Sequence, residues 1–252
     1  MQEIYNIHEL DLEKLEMSCS FLILGPPGVG KSTFIKNILF KVKHKYPICR
    51  AVCSVPKPYE EYCSIIPPLF VFSEFDIKRE NEFVDRQKKL ACNKNAKDEK
   101  YSIIIYDDVD NRDNKRAINS FFSDLYKRGS RHYNSLILNV NQYAIDYPPD
   151  VRSASTYIVI FRYSSDSDLE KIFTSFIPQN IFKDKKTFIN IFNQLTGGFS
   201  CMIIKKNARS SELKDCIFFY QCIEISDKLK IGSRQLKNWS KKYCDPEKRN
   251  YM

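Results

Sequence analysis

Apolar residues in this chain fall into short continuous runs, separated by longer stretches in which they recur every three or four positions. The runs at 20–24, 48–55, 101–106, 135–140 and 156–163, and a later pair at 199–205 and 216–225, are rich in Ile, Val, Leu, Phe and Tyr and predict strands. Between them, 31–45 puts Phe34, Ile35, Ile38, Leu39 and Val42 on one helical face, and 113–127 does the same with Ile118, Phe121, Phe122 and Leu125. Further helices are predicted at 77–97, 166–176 and 186–195, the last stopped by Gly197-Gly198. Strands that alternate with helices pair in parallel through right-handed crossovers, so the pattern predicts an α/β three-layer sandwich. The last two strands, joined by the polar NARSSELKD, predict an antiparallel hairpin at one edge. The stretch PKPYEEYCSIIPP, 56–68, is expected to be a loop, because its four prolines oppose both helix and central strand.

The first strand runs into GPPGVGKST, and residues 25–32 match GxxxxGK[ST] in full between a strand and an amphipathic helix. This is the phosphate-binding loop of a P-loop NTPase. Glycines let successive amides curl inward, and the helix N-terminus adds a positive dipole end. Gly25, Pro26, Pro27, Gly28, Val29, Gly30, Lys31, Ser32 and Thr33 are therefore the candidate nucleotide contacts. Lys31 is placed to reach the β- and γ-phosphates, and the Ser32 hydroxyl to ligate Mg²⁺. The partner chemistry is a carboxylate at another strand end, and IIIYDDVD supplies Asp107 for the Mg²⁺ and Asp108 to orient or deprotonate the attacking water. The next strand ends in Asn139, Asn141 and Gln142; Gln142 is placed to sense the γ-phosphate, with Asn141 the competing choice.

Composition narrows the class. The 252 residues suit one domain over 1–226, with 1–19 as an N-terminal extension, followed by a basic segment at 227–252. No apolar run approaches the roughly 18 residues of a membrane span, and the acidic start MQEIYNIHELDLEKLE is unlike a signal peptide, so a soluble intracellular protein is expected. Nine cysteines without zinc-finger spacing read as reduced thiols. The net charge of +9 is compatible with a polyanionic partner, and the last 26 residues carry eight basic side chains against three acidic ones. A GTPase would need NKxD after its Mg²⁺ acid; the nearest strings, at 93–96 and 114–117, lack the aspartate. A small-molecule kinase needs neither a second acid at the Walker-B strand nor a basic tail. ATPases with a catalytic acid and an inserted strand between the Walker motifs remain.

Taken together, GPPGVGKS, IIIYDDV, RHYNSLILNVNQ and VRSASTYIVIFRYSSDSDLEKIF resemble the poxvirus-type genome-packaging ATPases of large DNA viruses and virophages, a branch of the FtsK/HerA group. The resemblance covers about 21–176. It implies a motor that uses ATP to move double-stranded DNA into a preformed capsid at the capsid or portal vertex, as a homo-oligomeric ring of five or six copies. It places the protein in the viral factory of the host cytoplasm or with the virion. It also implies an arginine acting in trans; Arg131 matches the family's position, with Arg128 and Arg152 as rivals, while His132 is read as packing or capping. Lys78 to Lys100, with its Lys88-Lys89 pair, and the C-terminal segment are the candidate DNA contacts. The alternatives are an AAA+-type loader or initiator, which would carry a C-terminal helical lid, and a nucleotide-gated assembly factor that does not hydrolyse.

Overall fold

The computed structural model describes residues 6–109, 115–129, 132–142, 147–177, 181–182, 184–210, 212–225 and 228–244. Nine strands form one sheet: β1 (His8–Glu9), β2 (Ser20–Leu24), β3 (Ile48–Cys53), β4 (Val71–Phe72), β5 (Ser102–Asp107), β6 (Ser135–Asn141), β7 (Tyr157–Ile160), β8 (Ser200–Lys205) and β9 (Ile217–Gln221), in the order β1-β9-β8-β7-β2-β6-β5-β3-β4. From β7 to β4 every pairing is parallel, as strand–helix alternation predicts. β8 and β9 form the expected antiparallel hairpin, β8 also runs antiparallel to β7, and the two-residue β1 adds a parallel edge outside the hairpin.

The central strands are buried on both faces, which explains their unbroken apolar sequences. Alternate residues feed two cores. Phe21, Ile23, Ile103, Ile105, Leu136 and Leu138 meet α1 (Lys31–Val42) and α2 (Pro56–Ile65). Leu22, Leu24, Ile104, Tyr106 and Ile137 face the opposite layer, built from α3 (Ile77–Cys92), α4 (Lys115–Asp124), α5 (Pro149–Ala154), α6 (Asp166–Phe176) and α7 (Lys185–Leu195). On that side a buried Arg50–Glu80 ion pair ties β3 to α3, and the Tyr106 hydroxyl also donates to Glu80 at 2.8 Å. A single helical turn, α8 (Leu213–Cys216), leads into β9.

The 56–68 stretch corrects an expectation, for it opens with α2. Pro56 and Pro58 lie in the first turn, where backbone N–H groups have no partner within the helix, so proline costs nothing there. The chain turns extended at Ile66, ahead of Pro67 and Pro68. The helix expected at 113–127 begins, among the described residues, at Lys115 and ends in a short π-turn, Leu125–Gly129. Beyond β9 the chain crosses to the other edge of the sheet, where Ile231 donates to the Ile65 carbonyl and Ser233 to that of Pro47. There α9 (Arg234–Tyr243) is capped by Ser233 and accepts the Leu69 N–H on Ser240. Among the described residues no helix is long and apolar enough to cross a membrane.

Candidate functional site: a phosphate loop facing two aspartates

The carboxyl ends of the parallel strands carry the site, the position that open α/β sheets reserve for ligands. At the end of β2 the loop at 25–30 leads directly into α1, whose first intrahelical bond runs from Phe34 N to the Gly30 carbonyl at 2.9 Å. Gly28 and Gly30 have φ of 80° and 109°, a region that favours glycine. A Cβ on Gly25 would lie 2.8 Å from Phe161 Cβ, so that glycine is required by the packing of β7's end against the loop. Pro27 and Gly28 are exposed at the tip, while Pro26, Val29, Ser32 and Thr33 are half-buried.

Lys31 is buried and turns back into the loop. Its Nζ donates to the Gly25 carbonyl at 2.5 Å and the Pro26 carbonyl at 2.8 Å. Burial lowers its pKa, and the charges of Asp108 and Asp107 oppose that shift. The two aspartates thus lie within electrostatic reach of the ammonium, although they come from a strand two places away in the sheet.

Asp107 ends β5 and is 5% exposed. Burial pushes its pKa up to about 6; the Tyr62 hydrogen bond and the Lys31 charge pull it down, and Asp108 pushes it further up. Tyr62 is the residue that sequence reasoning missed. It lies on α2, and its hydroxyl donates to Asp107 Oδ2 at 2.8 Å. Asp108 holds φ at 46° while its N–H continues the ladder to the Val140 carbonyl at 3.2 Å. Gln142, just past β6, donates from Nε2 to Asp108 Oδ2 at 2.7 Å, and Tyr163 past β7 donates to the Gln142 carbonyl at 2.9 Å. Asn139 points to the opposite core and accepts from Tyr147; Asn141 contributes its backbone carbonyl to Gly25 N at 3.3 Å. Lys31, Asp107, Asp108 and Gln142 therefore converge, with Ser32 and Thr33 on the adjoining first turn of α1.

The arginines fall elsewhere. Arg131 lies outside the described residues. Arg128 is exposed at the end of the π-turn that precedes β6, and β6 starts level with the first residue of β5, at the end of the sheet away from the phosphate loop. Arg152 on α5 packs its guanidinium 5.5 Å from the Phe176 ring centre, with Nε buried and unpartnered among the described residues. His132 is exposed. On α3, Lys88 pairs with Asp85 at 2.8 Å on an exposed face.

The chain has relatives among known proteins. It matches the family described as Poxvirus A32 protein over residues 8–237. Protein 015R of Frog virus 3 (isolate Goorha) is 26% identical over 200 residues, covering 79% of this chain and 60% of that protein. The chain thus spans less than two thirds of that relative's length. In fold it is similar to the DNA-packaging ATPase from Sulfolobus Turreted Icosahedral Virus (TM-score 0.55, 17% identity, 82% of this chain and 98% of that one). It is likewise similar to the genome packaging NTPase of Sulfolobus turreted icosahedral virus 2 in complex with ATP-gammaS (TM-score 0.54, 16% identity, 83% and 100%). The architecture is that of a P-loop NTPase, with the mainly parallel sheet and antiparallel hairpin that the sequence predicts.

Proposed function

The chain belongs to the poxvirus A32 protein family, and from that premise we propose that it is an ATP-hydrolysing motor that drives double-stranded viral DNA into a preformed capsid as a ring of five or six copies. The observation that carries this reading is the convergence of Lys31, from the start of α1, with Asp107 and Asp108, from the end of β5. A phosphate-gripping cation facing a pair of acids is the equipment for moving a terminal phosphoryl group to water.

The residues fit ATP with Mg²⁺. The loop glycines let backbone amides turn toward phosphate oxygens, and Ser32 and Asp107 supply hard oxygen donors. Asp107 is a buried acid whose ionisation is disfavoured, so a cation beside it would relieve that cost. When bound, Mg²⁺ neutralises charge on the β- and γ-phosphate oxygens. The chain's own part is to bind and orient. Loop amides and Lys31 hold the phosphates, and Tyr62 fixes the Asp107 carboxylate. Asp108 takes the proton of the attacking water on its carboxylate, while Gln142 sets the rotation of that carboxylate through Oδ2 and senses the terminal phosphate. Arg131 of a neighbouring copy completes the charge stabilisation. Lysines and arginines of α3 and of 227–252 hold the DNA backbone without reading sequence, which makes binding salt-sensitive.

The test is steady-state ATP turnover of the wild type and Asp108→Asn across protein concentration, with and without random-sequence duplex DNA. Turnover that rises with both and falls by about 10² to 10⁴ in the variant is the expected result. Turnover indifferent to DNA, or intact in the variant, would overturn the motor. The loader alternative asks for a helical lid where β9 forms a strand, so the fold favours the packaging reading.

A further inference from the structure

The proposed site leaves one half of its nucleotide unassigned. Asp107 and Asp108 stand on the β6–β5 side of β2, so a triphosphate seated in the loop directs its terminal phosphate that way. The remainder of the molecule must leave over the other side, above the ends of β7, β8 and β9. Two large apolar side chains stand exposed there, Phe199 at 56% and Ile223 at 54%. Phe199 lies directly against the phosphate loop: a Cβ placed on Gly30 would be 3.0 Å from Phe199 Cδ1 and 3.4 Å from Phe161 Cε1.

This corner is built rather than loose. Phe199 enters β8 from a turn in which Gly198 has φ of 62°, and its carbonyl accepts from Cys222 N at 3.0 Å, which puts Ile223 beside it. Ile223 is in turn clamped to α1 by Asn37. The buried Asn37 amide donates to the Ile223 carbonyl at 2.7 Å, and its Oδ1 accepts both the Ile223 N–H and the Tyr220 hydroxyl at 3.1 Å. Asn37 Nδ2 also donates to the Thr33 carbonyl at 2.8 Å, so the buried amide is satisfied and fixes the exposed Ile223 against the first turns of α1.

We propose that Phe199 is the platform on which the nucleobase stacks, with Ile223 forming its apolar border and Asn37 positioning that border against α1. The proposal rests on the nucleotide-binding reading above and adds the group that holds the base. Bases stack on aromatic rings through faces that every base possesses. The platform therefore supplies affinity and direction, carrying the ribose away from the aspartates, without demanding a particular hydrogen-bonding edge.

Calorimetric titration of the full chain with ATPγS and with inorganic tripolyphosphate, both with Mg²⁺, tests it in wild type, Phe199→Ala and Phe199→Trp. Loss of the ring should weaken ATPγS roughly 5- to 100-fold and leave tripolyphosphate unchanged. Tryptophan should restore ATPγS binding. Equal ATPγS affinity in wild type and Phe199→Ala would overturn the platform while the nucleotide site stands. Equal weakening of both ligands would make Phe199 a structural support of the loop and overturn it too. Failure of the wild type to bind either ligand would remove the nucleotide reading itself, and the platform with it.

Discussion

The two flanks of the phosphate loop use opposite chemistry on what is, in the proposed reading, one ligand. Toward β5 the groups are polar, buried or half-buried, and each is hydrogen-bonded: Lys31 in the loop, Asp107 held by Tyr62, Asp108 held by Gln142. Toward β8 and β9 they are apolar and more than half exposed. The difference follows from what each half of a nucleotide asks of a protein. Phosphates and a divalent cation need particular atoms at fixed positions, whereas a base face needs only a flat apolar surface of the right height. The polar flank is therefore specified residue by residue, and the apolar flank by shape.

The largest effect that would sharpen this contrast concerns the arginine that, in the proposed reading, a neighbouring copy lends to the polar flank. Arg128 precedes β6 at the end of the sheet away from the phosphate loop, so the topology keeps it away from the loop of the same chain. Arg131 follows it by three positions. If Arg131 acts in trans, Arg131→Ala alone loses roughly 10³ to 10⁵ in turnover. Mixing it with Asp108→Asn, inactive for a different reason, should restore measurable turnover in mixed rings, because each variant supplies the group the other lacks. A mixture as dead as its components would break the shared-site reading, and the same pair of experiments with Arg128→Ala decides between the two arginines.

A smaller effect tests whether the polar flank is positioned as tightly as its hydrogen bonds suggest. Tyr62→Phe removes one hydroxyl and keeps the ring. The partners that orient metal ligands are commonly worth about 10- to 100-fold in metal affinity, so half-saturating Mg²⁺ for ATPγS binding should rise by a factor in that range. Metal-free nucleotide binding should move little, while the melting temperature at neutral pH should fall, because the buried carboxylate loses a donor. Equal loss with and without Mg²⁺ would show that Tyr62 supports the fold rather than the carboxylate.

The contrast also explains what could be read from the chain in advance. Gly25 to Thr33 and Asp107-Asp108 are legible because the chemistry dictates residue types at set spacing and strand ends dictate their place. The double-sided strands and the amphipathic α1 are legible for the same local reason. Tyr62 was not, because its contact crosses 45 positions and its helix begins with prolines that argue against a helix unless they fall in its first turn. The short edges β1 and β4 carry too few residues to show a period. Phe199 reads in sequence as one more strand aromatic; only the hairpin's antiparallel course brings it to the loop.

The smallest effect concerns a cost that the polar flank carries and the apolar flank does not. Asp107 binds its proton more tightly in the fold, with a pKa of about 6, than in an unfolded chain, where a carboxyl titrates near 4. Above pH 6 the ionised, buried carboxylate opposes folding by at most about 3 kcal/mol; below pH 4 both states are protonated and that opposition is gone. Asp107→Asn keeps the shape and an acceptor for the Tyr62 hydroxyl but never ionises. Without nucleotide or Mg²⁺ the variant should therefore melt above the wild type at pH 8, with the gap closing as the pH falls toward 4. Saturating Mg²⁺ and ATPγS should reverse the order, because a ligand that binds the folded state stabilises the protein able to hold the cation. A variant less stable than the wild type at both pH values, without ligand, would mean that the ionised carboxylate is satisfied within the fold. It would then be a structural group, and the division of labour between the two flanks would lose its polar half.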